Sequence, residues 1–84
     1  MQLKENILEL RDICGIVLEV GDTVTVNYNH EGVQKRMRGE IESHYIMEEE
    51  KMMLLRDPIG DLHYFYTDRI GMWIEKFRRD YRFN

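Results

Sequence analysis

The fold is decided by the segment Gly21-Asp-Thr-Val-Thr-Val-Asn-Tyr-Asn-His-Glu-Gly-Val-Gln-Lys-Arg-Met-Arg-Gly-Glu-Ile-Glu-Ser-His-Tyr45. Apolar and polar side chains alternate over residues 23–29, which is typical of a strand with one buried face. After a polar turn at 29–32, the same period of two returns over residues 33–46. The segment therefore predicts a β-hairpin whose two long strands each have an inner and an outer face.

Further strands follow the hairpin. Gly39, inside its second strand, predicts a bend or bulge where the sheet curls. Residues 51–56 form a short apolar run, which predicts a central strand buried on both faces. A turn with proline and glycine at 57–60 leads into alternating residues 62–66, the fourth strand. Because these connections are too short for a crossover helix, we expect antiparallel order.

Both ends of the chain carry apolar residues at helix-like spacing. Near the N terminus the spacings are four, three and four before Gly15, which predicts an amphipathic helix over residues 1–15. A second apolar stripe begins at Ile70 and allows either a helix or a short strand at 70–75. We expect the strand, because a curled sheet needs a closing strand. The N-terminal stripe consists of Leu3, Ile7, Leu10 and Cys14, the last as a buried and inert thiol.

The 84 residues are predicted to form one small domain of the mainly β (α+β) class. Its architecture is a small curled antiparallel sheet or barrel of four to five strands with an N-terminal helix. The helix spans 1–15, the barrel 20–75, and an aromatic-basic tail 76–84. The expected centre of the core is Val24, Val26, Ile41, Leu54, Leu62 and Ile70.

Three short motifs carry a resemblance to known families. They are Gly-Asp-Thr-Val-Thr-Val-Asn-Tyr at 21–28, Arg-Gly-Glu-Ile at 38–41 and Phe-Tyr-Thr-Asp-Arg-Ile at 65–70. In this order they resemble the YolD-like proteins and, more broadly, Sm-like small β-barrels, over residues 20–74. Such proteins are common in Gram-positive bacteria and their phages. The resemblance implies an accessory or regulatory binding protein without enzymatic activity.

The residues themselves indicate no catalytic or cofactor site. Ser43 and His44 are strand neighbours and point to opposite faces, so they cannot form a nucleophile dyad. The three histidines lack zinc-like spacing, and no glycine-rich phosphate loop is present. We therefore expect no enzyme, no metal and no cofactor. The single Cys14, the absence of a signal-peptide pattern and the absence of a membrane-spanning run predict a cytoplasmic protein without membrane contact.

A protein partner is the first functional expectation. The chain is expected to bind and modulate a host or cellular protein, as phage-encoded inhibitors or anti-defence proteins do. An acidic patch would meet a basic partner as a phosphate decoy, while the aromatic-basic tail would anchor a partner or a second copy in a homodimer. Methionines near the third and fifth strands would add adaptable contact surface. The acidic patch is Glu40, Glu42, Glu48, Glu49 and Glu50, and the tail residues are Trp73, Phe77, Arg78, Arg79, Tyr81 and Arg82.

Single-stranded nucleic acid or a nucleotide is the alternative partner. Small barrels of this kind present aromatic side chains beside basic residues. The net charge of −4 argues against it, because backbone binding relies on a basic surface. The candidate patch for this alternative is Lys35, Arg36 and Arg38.

Overall fold

The structure, a computed structural model, describes residues 5–6, 9–68 and 71–77. They form a single open sheet of six antiparallel strands in the order β5-β4-β3-β2-β6, with the two-residue β1 paired to β3. The antiparallel order predicted from the short turns is confirmed. The strands are β1 Glu5–Asn6, β2 Thr23–His30, β3 Val33–Met47, β4 Glu50–Arg56, β5 Leu62–Tyr66 and β6 Trp73–Lys76.

The predicted hairpin is confirmed as β2 and β3. A two-residue turn joins them, and both of its residues, Glu31 and Gly32, have positive φ of 54° and 82°. Turns of this handedness match the twist of the flanking strands and are the preferred hairpin connection. The side-chain oxygen of Asn29 accepts a hydrogen bond from the Gly32 amide at 3.0 Å, which fixes the turn.

Strand β3 is long enough to belong to both halves of the sheet. Residues 33–40 pair with β2, and residues 40–47 pair with β4. The register shifts between Ile41 and Ser43, so the bulge lies just beyond the glycine that predicted it. Gly39 is instead a point of close approach, because a Cβ there would lie 2.6 Å from the Arg56 carbonyl oxygen. The sheet therefore curls around β3.

The core lies on the inner face of the curled sheet. Met53 and Leu55 of β4 are fully buried, whereas Leu54 between them is only half-buried. The prediction that β4 is buried on both faces was therefore wrong. Leu62 is also outside the core, being 44% exposed, and Ile70 lies outside the described residues. The core cluster is Leu18, Val24, Val26, Ile41, Met53, Leu55 and Ile74.

The predicted N-terminal helix is wrong. Among the described residues there is no helix, and 9–18 instead form a loop closed by a bridge between Arg11 and Val17. Asp12 explains the difference, since its carboxylate accepts hydrogen bonds from the amides of Cys14 and Ile16 and favours a turn over a helix. Cys14 is consequently exposed rather than buried. Leu3 and Ile7 of the predicted stripe lie outside the described residues.

The sheet closes less completely than the predicted barrel. The short closing strand is confirmed as β6, which pairs with β2 over Trp73–Lys76. Within the part of the chain that the structure describes, β5 and β6 do not pair with each other, so the sheet is open and the barrel is wrong. The helical alternative for the C-terminal segment, where it extends beyond residue 77, lies outside the described residues.

Candidate binding faces

The outer surface of β6, β2 and the first half of β3 carries aromatic rings beside arginines. Two rows of side chains run across this surface from β6 through β2 to β3, and Phe77 follows directly after β6. We call it the arginine–aromatic face and define it by Arg36, Arg38, Trp73 and Phe77. The rows are Trp73–Asn27–Arg36 and Glu75–Thr25–Arg38.

The face joins parts of two sites that the sequence predicted separately. Arg36 and Arg38 come from the predicted nucleic-acid patch, whereas Trp73 and Phe77 come from the predicted tail. The guanidinium carbon of Arg38 lies 4.2 Å from the centroid of the Phe77 ring, a cation–π contact that links them. Lys35 opposes Tyr28, on the other face of β3. The remaining tail residues, Arg78, Arg79, Tyr81 and Arg82, lie outside the described residues.

Asn27 lies at the centre of this face and sequence reasoning missed it. It is only 7% exposed, and its Nδ2 has no hydrogen-bond partner. A buried amide donor is normally paired, so this atom is an exception that calls for an explanation. The only indication of Asn27 in the sequence is that asparagine, a residue of low β-propensity, stands among the valines and threonines of a strand.

A second surface lies on the outer side of β4 and β5. Here the register aligns aliphatic and tyrosine side chains in two successive rows, and Leu62 follows at the start of β5, opposite Arg56. Leu62, Tyr64 and Tyr66 are 44%, 62% and 39% exposed. We call this the tyrosine face and define it by Met52, Leu54, Leu62, Tyr64 and Tyr66. Its rows are Tyr45–Met52–Tyr66 and Ser43–Leu54–Tyr64.

Tyr45 is the buried end of the first of these rows. Its side chain is 3% exposed, and burial, followed by the nearby Tyr64, raises the pKa of its hydroxyl. The register places Tyr45 and Tyr64 on the same outer face, where Tyr45 is buried and Tyr64 is exposed.

The predicted acidic patch is divided between the two ends of the second half of β3. Glu40 and Glu42 lie where β3 meets the end of β4. Glu48 and Glu49 form the opposite turn, with positive φ of 54° and 69°, and Glu50 begins β4. The nearest members of the two groups, Glu42 and Glu48, are six positions apart, about 20 Å at the usual rise of a strand. They cannot act as one compact site.

Glu42 is also engaged within the chain. Its two carboxylate oxygens each accept a hydrogen bond from Arg56 at 3.0 Å. This pairing lowers the pKa of Glu42 and raises the pKa of Arg56. Arg56 further donates to the carbonyl of Gly60. Arg56 lines a cleft of about 470 Å³ between β3 and the 57–60 turn, and its hydrogen bond to Gly60 holds that turn against the sheet.

The histidines lie in three different environments. His63 Nε2 lies 2.9 Å from a carboxylate oxygen of Asp57, and this hydrogen bond lowers the pKa of Asp57. His44 is buried beside Met53, and desolvation lowers its pKa. His30 is exposed near the first hairpin turn. Across residues 9–68 and 71–77, no three histidine, cysteine, aspartate or glutamate side chains gather into a possible metal site.

An aromatic cavity lies where the open sheet brings β5 near the end of β2. The rings of Tyr28 and Phe65 meet edge to face, with centroids 5.2 Å apart. The cavity has a volume of about 320 Å³ and is also lined by His30, Tyr66 and Met72. It lies beside one edge of the tyrosine face, because Tyr64 and Tyr66 border both.

Comparison with protein-family models, curated proteins and solved structures finds no match for this chain. The resemblance to YolD-like and Sm-like proteins therefore stays a prediction. In the part of the chain that the structure describes, no helix has the length and apolar character needed to span a membrane.

Proposed function

We propose that this protein is a non-enzymatic binding protein that regulates or inhibits another protein, and that the partner docks on the tyrosine face. The observation that carries the proposal is the continuous apolar surface of Leu62, Tyr64 and Tyr66 over half-buried Met52 and Leu54. Isolated exposed apolar residues are normal, but a contiguous patch with polar residues around it is typical of an interaction surface.

The composition of the face matches the centre of a protein interface. Tyrosine and methionine are enriched there, while charged residues are depleted. Tyr64 projects from a strand, so its ring needs little ordering when a partner covers it. Half-buried Leu54 lies beside it in the same row and would support the ring from below.

Charged residues lie at the border of this surface, where an interface usually has a polar rim. Arg56 and its partner Glu42 border one end, next to Leu62. The acidic turn of Glu48 and Glu49 lies at the other end, beyond the row of Tyr45. We therefore expect the partner to place an apolar patch on the face and basic side chains near this turn.

A cytoplasmic location belongs to the same proposal. Cys14 is the single cysteine of the chain, and it is exposed without a disulfide partner. An exposed free thiol is typical of proteins in a reducing compartment.

The test is affinity capture from the native host cell with the wild type and the double variant Leu62→Ser/Tyr64→Ser. Truncating two exposed apolar side chains of the face should weaken binding of the captured protein by about 30-fold or more. The matched control is Ile59→Ser, because Ile59 is apolar and 82% exposed but lies in the 57–60 turn, off the face. Equal capture by all three proteins would contradict the proposal.

A second copy of the chain is one partner that fits an apolar face. Sedimentation of the purified protein at rising concentration separates this case from binding to a different protein. If copies associate through the tyrosine face, the wild type forms dimers, whereas the Leu62→Ser/Tyr64→Ser variant stays monomeric. A dimer that the variant retains would place self-association elsewhere.

A further inference from the structure

The open sheet ends in two outermost strands, and the described chain covers only one of them. At β6, the loop over residues 9–18 occupies the edge. The amide of Ile13 donates to the carbonyl of Ile74 at 2.8 Å. The carboxylate of Asp12 accepts from the amide of Lys76 at 3.1 Å. At β5, no strand of the described residues pairs with the outer edge. Natural proteins usually cover such an edge, because its unpaired backbone groups bind other strands.

The pairing of β5 with β4 decides which backbone groups of β5 face the open edge. The amide of Thr67 donates to the carbonyl of Lys51 at 2.9 Å, which makes these two residues a hydrogen-bonded pair of the ladder. In an antiparallel ladder such pairs alternate with pairs whose N–H and C=O groups point away from each other. The odd-numbered residues of β5 therefore bond to β4, whereas Leu62 and Tyr64 direct their N–H and C=O groups to the open edge.

Strand β5 carries none of the features that usually protect an edge strand. Its five residues, Leu-His-Tyr-Phe-Tyr, include no lysine, acid or proline, and its ladder with β4 has no bulge. Tyr64, the middle residue, is 62% exposed. The aromatic cavity lies beside Tyr64 and Phe65 and leaves space along the strand. The edge around Tyr64 is therefore open to an additional strand.

We propose that a second copy of this chain occupies the edge, and that the two β5 strands pair antiparallel around a two-fold axis at Tyr64. Head-to-tail pairing of β5 with β6 of the next copy is blocked, because the loop over residues 9–18 covers β6. Pairing of β5 with β5 is symmetric and closes at a dimer. An axis at the middle residue pairs all five residues of the strand, and Tyr64 then exchanges both backbone hydrogen bonds with Tyr64 of the second copy.

The side chains and charges that this register brings together are complementary. The two Tyr64 rings lie side by side, and cross-strand aromatic pairs stabilise a sheet. One position before β5, Asp61 lies opposite Thr67 of the second copy, and Lys51 is the ladder neighbour of that threonine. An acid therefore meets a base at each end of the interface, and no like charges lie directly opposite each other.

The dimer extends the sheet in its own plane and leaves the tyrosine face uncovered. The row of Leu54 and Tyr64 continues into Tyr64 and Leu54 of the second copy, so the two tyrosine faces form one continuous surface. Pairing of the strands does not depend on the docking of another protein on that surface. Edges of five residues bury less than the about 1,600 Å² of a standard interface, so we expect a dissociation constant on the order of 10 μM.

The test measures sedimentation and amide hydrogen exchange of the purified full chain from about 1 μM to about 1 mM, a range that spans the expected dissociation constant. The wild type should pass from monomer to dimer. Exchange of the Tyr64 amide should slow about tenfold, because it then requires the dimer to open. The Phe65 amide bonds to β4 in both states and should change much less. A dimer in which two tyrosine faces pack on each other would leave the Tyr64 amide unprotected.

Two backbone esters at adjacent positions form a matched pair. Hydroxy-acid analogues of Tyr64 and of Phe65 each remove one N–H group and keep the side chain. The ester at position 64 should weaken the dimer about tenfold, because one bond is lost from each copy. It should leave the melting temperature of the dilute monomer unchanged, since that N–H points to the open edge. The ester at position 65 should lower this melting temperature, because it removes a bond to β4.

A charge exchange tests the register. Lys51→Glu should weaken the dimer about threefold, and Lys51→Glu/Asp61→Lys should restore it. A double variant as weak as Lys51→Glu alone contradicts the proposed axis. The proposal is overturned if the chain stays monomeric up to about 1 mM, far above the expected dissociation constant. It is also overturned if the Tyr64 amide is protected only when a different protein is added. These outcomes leave docking on the tyrosine face untouched, so the two proposals fail separately.

Discussion

At the scale of single residues, Asp12 holds the N-terminal loop to the sheet. One of its carboxylate oxygens accepts from the amides of Cys14 and Ile16, each at 2.9 Å. The other oxygen accepts from the amide of Lys76 at 3.1 Å, which ties the loop to β6. The side chain is only 7% exposed, so water cannot replace these bonds without opening the loop. Hydrogen bonds to Asp12, rather than a helix, therefore hold this segment in place.

We expect Asp12→Ala to lower the free energy of unfolding by about 3 kcal/mol, because it leaves backbone donors without an acceptor. Asp12→Asn should lose less, since an amide oxygen can still accept on one side. Urea denaturation measures both. The exposed Asp68→Ala is the control and should stay within about 0.5 kcal/mol of the wild type. Equal stability of Asp12→Ala and the wild type would show that the loop is held in another way.

His44 makes stability depend on pH. Its pKa in the folded protein is lowered from 6.5 by burial, so the unfolded chain binds more protons than the folded one below about that pH. The buried, neutral His44 therefore contributes its full share of the folding stability above about pH 6.5, and this share is lost as the pH falls toward the lowered pKa. The positive charge of Lys51 acts in the same direction.

We predict that His44→Leu reduces the drop in melting temperature between about pH 7.5 and about pH 5.5. The leucine also removes the unpaired Nε2 of His44 from the interior. His30→Gln is the matched control, because His30 is exposed and its replacement should leave the drop unchanged. An identical drop in the wild type and His44→Leu would refute the assignment.

The residues that matter most at this scale were hard to predict from sequence. Val24, Val26 and Ile41 were expected in the core and are buried. They alternate with polar residues in the sequence, and the strands β2 and β3 turn these alternate positions to the inner face. Asp12 and Asn27 were missed, since a polar residue gives no periodic signal that tells a buried role from a solvated one.

At the scale of elements, Gly39 allows β3 to serve both halves of the sheet. The side chain of Leu55 and the carbonyl of Arg56 pack where a Cβ of residue 39 would lie, at 2.8 Å and 2.6 Å. A backbone carbonyl cannot move away as the end of a flexible side chain can. The close approach therefore depends on the absence of a side chain.

Gly39→Ala should lower the free energy of unfolding by about 2–3 kcal/mol through this overlap. Gly21→Ala is the control, because Gly21 has a φ of 99° and open space around it. That control should lose only about 1 kcal/mol, from backbone strain alone. Denaturant titration compares them. A smaller effect at Gly39 than at Gly21 would contradict the packing described for β3.

Elements with a clear period of two were predictable, and those with ambiguous spacing were not. β2 and β3 follow from alternation and a turn with positive φ. The N-terminal stripe fits a helix by spacing, but Asp12 stabilises a turn there. In β4 the continuous apolar run hid an alternation of buried and half-buried residues, so Leu54 was assigned to the core. The same ambiguity concealed the tyrosine face, because exposed Tyr64 alternates as a buried residue would.

At the scale of the whole molecule, one core joins the two halves of the sheet. Val24, Val26 and Ile74 come from the half that contains β2 and β6, whereas Met53 and Leu55 come from β4. Neither half buries these side chains alone. The two halves should therefore unfold together.

We predict that Trp73 fluorescence, which reports on β6, and far-ultraviolet circular dichroism, which reports on the whole sheet, give coincident urea transitions. Met53→Ala should shift both transitions together and lower the free energy of unfolding by about 2–5 kcal/mol. The substitution is in β4, far from Trp73 in strand order. If it shifted only the circular dichroism transition, the two halves would be independent units.

The central claim is that a protein partner covers the tyrosine face. Photo-crosslinking in the native host cell tests it most directly, with a photoreactive phenylalanine analogue in place of Tyr64 in one protein and of Ile59 in another. We predict that position 64 crosslinks to one defined protein and that position 59, which is exposed but off the face, does not. Equal crosslinking at the two positions, or none at position 64, would contradict the claim.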